Sequence, residues 1–108
     1  YYIQNQVSQM SNQKQLLEQR ELLLVEISEA PIWVSGSVIE TTRKVGEKSK
    51  PFCYLSQSVK GKNKITYISK KQLDAFSAAA AEGERIRGLL AELSLINVKL
   101  IKAGFRND

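Results

Sequence analysis

The sequence predicts an α+β fold in which two long antiparallel helices, forming a coiled-coil-like hairpin, flank a three-stranded antiparallel β-meander. Three observations lead there. Residues 1–29 contain no Gly or Pro and are dense in Gln, Glu and Leu, all good helix formers. Residues 32–68 are rich in β-branched and aromatic residues interrupted by Gly. Residues 70–103 repeat apolar positions at alternating spacings of three and four. With 108 residues, the chain is expected to form a single domain, 1–108, with one modest core.

The first helix is expected over residues 1–29. Ile3, Val7, Met10, Leu17 and Leu24 follow heptad spacing, with polar Lys14 and Glu21 between them, while Leu16, Leu23 and Ile27 widen the stripe. Pro31 ends the helix, because it lacks the N–H needed to continue the ladder and pushes Ala30 towards extended geometry. Ile32 to Thr42 reads as the first strand, with Gly36 at a bulge or close approach. Arg43 to Pro51 has the composition of a turn. Phe52 to Val59 and Lys64 to Ile68 read as the second and third strands, joined by the four residues Lys60-Gly61-Lys62-Asn63.

The second helix, 70–103, opens with Ser69 as N-cap and Gln72 completing a capping box, and Gly104 stands ready for the left-handed C′ position. Its seam is Phe76, Ala79, Gly83, Ile86, Leu90, Leu93, Asn97 and Leu100. Phe76, Gly83, Ile86, Leu90, Leu93, Asn97 and Leu100 are the expected self-association residues of a homo-oligomer. Asn97 either fixes register in that seam or hydrates a loose helix end.

Composition bears on function mainly by exclusion. The chain has no His, so acid–base and nucleophilic chemistry lose their commonest participant. Ser35 and Ser37 flank Gly36 without a G-x-S-x-G elbow, and Cys53 sits in the alternating run Phe52-Cys53-Tyr54-Leu55, where a small buried hydrophobe is expected. The carboxylates lie mainly on the helices, some three residues from an arginine, as with Glu82 and Arg85. There is no calcium-loop pattern or Gly-rich phosphate loop. No catalytic residue, metal site or cofactor is therefore expected, and the chain reads as a non-enzyme. The lone cysteine and the absence of a long apolar run favour a cytoplasmic protein without a membrane span.

Charge is the feature that asks for a partner. The formal net charge is +5, yet residues 43–71 hold nine basic residues against the single acidic Glu47, while the flanks are net acidic. Arg43, Lys44, Lys48, Lys50, Lys60, Lys62, Lys64, Lys70 and Lys71 are the expected nucleic-acid-binding residues. Trp33, Phe52, Tyr54 and Tyr67 are interleaved with them, able to stack bases while the cations hold phosphates. The competing expectation is that the lysines blunt exposed strand edges and that the partner is another protein.

From Gly36-Ser37-Val38-Ile39-Glu40, through Pro51-Phe52-Cys53-Tyr54-Leu55-Ser56 and Val59-Lys60-Gly61-Lys62, to Tyr67-Ile68 and the helix ending near Leu89 to Leu100, the chain resembles a family. It is a largely uncharacterised family of short bacterial proteins encoded on mobile elements near transposase genes. That resemblance implies traffic with nucleic acid. It also implies a cysteine cluster between the first two strands, which this chain lacks, since residues 41–51 contain no Cys or His. A helix, a β insertion and a return helix are also similar in outline to the β-type prefoldin subunit, which implies a coiled-coil chaperone or interaction adaptor as the alternative.

Overall fold

A computed structural model describes the backbone of residues 2–107 and the side chains of residues 12–107. Helix α1 spans Tyr2–Ser28, strands β1, β2 and β3 span Ser37–Val45, Lys48–Val59 and Lys62–Ile68, and helix α2 spans Leu73–Lys102. The sheet is antiparallel in the order β1-β2-β3. Among the described residues no helix is long and apolar enough to cross a membrane.

The expected fold class is corrected by this arrangement. The element order is α-β-α, and the two helices do not flank the sheet as a hairpin. The chain divides into two compact units, Tyr1–Ala30 with Ile86–Asp108, and Pro31–Arg85, so the boundary falls inside α2. The physical reason lies on the first half of α2. There the Val34 N–H donates to the Ala79 carbonyl at 3.2 Å, and the Val34 carbonyl oxygen lies 1.9 Å from where a Cβ on Gly83 would stand. Backbone of the strand-bearing unit thus occupies the part of the seam at Ala79 and Gly83 that a second helix would need.

Within the unit Pro31–Arg85, the period of two divides the sheet into two faces. Val38, Leu55 and Thr66 are cross-strand partners on one face, as are Cys53 and Ile68. Leu55 is 2% exposed, and Ile68 is also buried. This inward face ends in a groove of about 430 Å³ whose lining includes Cys53, Ile68, Lys70 and Leu73, which places the start of α2 against it. Replacing Leu55 by Ala is expected to cost about 3 kcal/mol, as for other buried leucines. Exposed Val59 changed to Ala should cost under about 0.5 kcal/mol, with both read from urea midpoints.

The second and third strands are longer and the turns tighter than expected, while β1 starts and ends later than expected and is shorter. Val45 pairs with Lys48 across Gly46-Glu47, and Gly46 alone takes positive φ, the pattern of a II′ connection. Arg43 to Pro51 is therefore ladder rather than loop. Pro51 fits in the central strand because β3 begins pairing only at Cys53, leaving one side of β2 open at the proline. The second turn is Lys60-Gly61, both with positive φ (53° and 78°), as a I′ turn requires, and Asn63 belongs to β3. Ile32 to Ser35 is not strand. It is held through its backbone, with Gln57 Nε2 donating to the Ser35 carbonyl at 2.8 Å in addition to the Val34 contact.

Within the other unit, Gln13 Nε2 donates to the Ala103 carbonyl at 3.2 Å, pairing the early part of α1 with the end of α2. The covered stripe of α1 is Gln13, Leu16, Arg20, Leu23, Leu24, Ile27 and Ala30, so it follows the residues expected to widen the seam, Leu16, Leu23 and Ile27, and keeps Leu24, while Leu17 is exposed. Ile3, Val7 and Met10 lie outside the described side chains. In α2, Ile86 and Leu100 are buried and Leu93 and Asn97 half-buried, while Leu90 is exposed and Leu89 half-buried in its place.

Both ends of α2 follow from local chemistry. A 3-10 turn, Lys70–Gln72, precedes the helix, and the Ser69 hydroxyl donates to Gln72 Oε1 at 3.1 Å rather than capping a backbone N–H. The expected capping box is thus replaced by a contact between its two side chains. At the other end, Phe105 N–H donates to the Leu100 carbonyl and Gly104 N–H to that of Ile101, with Gly104 at φ 106°. This is a Schellman closure.

Candidate nucleic-acid interface

The outward face of the sheet carries the aromatics. Phe52 and Tyr54 are two residues apart on β2, and Tyr54 pairs with Tyr67 on β3, so all three rings share one face. The Phe52 and Tyr54 ring centroids are 5.7 Å apart with planes at 26°, and Phe52 and Tyr67 are 6.2 Å apart at 46°. Buried aromatics of a core would be covered by another layer. Here Tyr67 is 72% exposed and Ile65, next to it on the same face, is exposed too, while Phe52 and Tyr54 are half-buried. Ile39, the β1 partner of Tyr54, extends the platform towards the other edge.

Cations continue this face beyond the rings. Arg43 and Lys50 are cross-strand partners, and Lys50 stands two residues before Phe52 on the same side of β2. At about 3.4 Å per residue that is a step of roughly 7 Å along the strand. Lys48 lies on the same face near the Gly46-Glu47 turn. None of the strand residues facing outward is acidic, since Glu40 pairs with Cys53 on the inward face and Glu47 is in the turn.

The nine expected cations do not form one patch. Arg43, Lys44, Lys48 and Lys50 gather at one end of the sheet. Lys60, Lys62 and Lys64 gather at the other, with Lys62 and Lys64 on the inward-face side of β3. Lys50 and Val59 are nine residues apart on β2, or roughly 30 Å, against a Debye length of about 8 Å at physiological salt. The two groups therefore act as separate charges. Lys70 and Lys71 belong to the 3-10 turn before α2, and Trp33 lies in the segment before β1, off the sheet.

Of the expected self-association residues, Phe76 is half-buried and Gly83 buried in the strand-bearing unit, while Ile86, Leu93, Asn97 and Leu100 face inward in the other. Leu90 remains exposed. Cys53 is a half-buried free thiol on the inward face. Arg85 donates from Nε to Glu82 Oε1 at 2.9 Å and also pairs through Nη2. Ile39 was missed as a member of the outward face. The signal was present as the alternation of Phe52 and Tyr54 with Cys53 and Leu55, which assigns every partner's face once the register is known.

Comparison with curated proteins and with solved structures yields no match. A family model does match, over a stretch that begins earlier and ends earlier than the resemblance read from Gly36 to Leu100, and it speaks neither of mobile elements nor of a cysteine cluster. It covers residues 13–78, from the middle of α1 through the whole meander into α2, and the chain belongs to this family, a domain of unknown function (DUF6788).

Proposed function

We propose that the chain is a non-enzymatic module of the cytoplasm that binds single-stranded nucleic acid on the outward face of its meander and self-associates through its helices. The observation that carries this reading is the contiguous set Phe52, Tyr54 and Tyr67 on an outward face free of carboxylates and continued by Arg43 and Lys50. An exposed Tyr67 beside half-buried Phe52 and Tyr54 gives bases a stacking surface of any sequence, worth about 1–3 kcal/mol per base. Cations on the same face hold the connecting phosphates. A duplex hides its base faces, so single strands should bind more tightly than the same sequence paired. The resemblance to mobile-element proteins fits such a role.

Lys62 and Lys64 support a second role within the same sheet. They sit on an edge strand, away from the rings, where lysine discourages pairing with another chain.

Fluorescence anisotropy with a short single-stranded RNA, the matching DNA and a duplex, at low and physiological salt, tests the proposal. Affinity should fall linearly on a double-logarithmic plot against salt. Reversing Arg43 and Lys50 to Glu should reduce the slope by about two contacts. Reversing Lys60, Lys62 and Lys64 should weaken binding less than this. The folded parent's failure to bind any of the three probes at low salt would remove nucleic acid and leave a protein partner.

A further inference from the structure

The unit built from Tyr1–Ala30 and Ile86–Asp108 covers little of its own apolar surface. Among the described residues its buried hydrophobics are Leu23, Ile86 and Leu100, while Leu22 is 70% and Leu95 64% exposed. Those two leucines stand on opposite walls of one groove of about 430 Å³, whose lining also includes Leu23, Glu92, Ile96 and Lys99. An apolar groove whose polar lining is one acid, one base and the amide of Gln19 is not a site for a small anion or cation. It is a helix-packing surface without a helix.

The charges identify the missing helix. Glu92 and Lys99 are seven residues apart, which returns to nearly the same side of a helix. The midpoint between them falls between Leu95 and Ile96. If a second copy of α2 crosses antiparallel about a two-fold axis at that midpoint, Glu92 of each chain faces Lys99 of the other, and Leu95 meets Ile96 at the axis. No ion-pair partner for either Glu92 or Lys99 is found among the described residues. A groove that complements itself in this way fits a second copy better than an unrelated helix.

We infer that two copies of the chain pair through this groove. The inference rests on the self-association part of the reading above and names its face, which differs from the seam first assigned. Placing Leu22 and Leu95 in the interface removes the largest exposed aliphatic side chains of the groove from water.

Sedimentation of the full chain across micromolar concentrations tests this. The parent should be a dimer, and Leu22→Gln with Leu95→Gln should be a monomer with unchanged helical circular dichroism. Glu92→Lys alone, or Lys99→Glu alone, sets like charges across the axis and should weaken the dimer at least about tenfold, counting two symmetry-related pairs. The double exchange, Glu92→Lys with Lys99→Glu, should restore it. A monomeric parent overturns both this proposal and the broader self-association reading. A dimeric parent indifferent to all four changes overturns the groove alone and leaves self-association standing at another surface.

Discussion

Changing Tyr54 and Tyr67 together to Ala is expected to weaken single-strand binding on the order of a hundredfold, with Tyr67→Ala alone giving about tenfold. The estimate follows from the stacking energy of about 1–3 kcal/mol per base and the tenfold equivalence of about 1.4 kcal/mol. Tyr67 is the informative single site, because it is 72% exposed and its loss removes little burial. Its ring contact with Phe52, at 6.2 Å between centroids, is the main intramolecular interaction at risk. Tyr67→Phe and Tyr67→Trp keep a π face and should bind within about threefold of the parent, whereas a hydroxyl-dependent contact would make the Phe variant fail. The salt slope should stay at the parent value in all three, since no cation is removed. A Tyr67→Ala protein with parental affinity, or one whose loss is confined to the salt slope, would rule out stacking as the source of binding.

The alternation along β2 and β3 carries which residues share a face, although apolar Ile68 beside Tyr67 blurs it in the sequence. Leu55, Ile68 and Thr66 turn inward and Tyr54 and Tyr67 outward, because a strand leaves a side chain only two directions. A helix offers no such binary choice. Leu16-Leu17 and Leu23-Leu24 are doublets whose members differ by about 100° around α1, and either member could have led the stripe. The structure buries Leu23 and half-buries Leu16 and Leu24, leaving Leu17 exposed, with Gln13 and Arg20 taking positions that a hydrophobic count passes over. The seam of α2 was legible apart from Leu90, but its partner was not. The segment at Val34 docks on Ala79 and Gly83 through its peptide group, and a peptide group has no sequence signature. The lysine-rich stretch from Arg43 to Pro51 hid a tight turn for a similar reason. Only Gly46 distinguishes it from a longer loop, and the register that extends β1 to Val45 depends on pairing.

Adding one methyl group at Gly83 should have the opposite effect on stability from adding it at Gly88, although both lie within the same helix. Helix propensity alone favours Ala over Gly by about 1 kcal/mol at either position. At Gly88 nothing lies within 4 Å of the added Cβ, so Gly88→Ala should stabilise by about 0.5–1 kcal/mol. At Gly83 the Cβ would stand 1.9 Å from the Val34 oxygen and 2.9 Å from its carbonyl carbon. Both atoms are backbone, so no rotamer change relieves the overlap, and the Ile32 to Ser35 segment must lift from the helix. That movement strains or breaks the 3.2 Å bond from Val34 N–H to Ala79. Overpacking of about 1–3 kcal/mol and a lost hydrogen bond of about 1 kcal/mol outweigh the propensity gain, for a net loss of about 1–3 kcal/mol. Gly83→Val adds two further methyls at the same point and should leave no cooperative unfolding transition in this unit, given that small domains hold only about 5–15 kcal/mol in total. Urea midpoints followed by helical circular dichroism decide the matter, and shifts of equal sign for the two alanine variants would refute the close approach. The consequence reaches the sheet, because the same segment is tied to β2 by Gln57 through the Ser35 carbonyl, three residues from Tyr54. Gly83→Ala should therefore lower nucleic-acid affinity only as far as it unfolds this unit, while Gly88→Ala should leave affinity at the parental value.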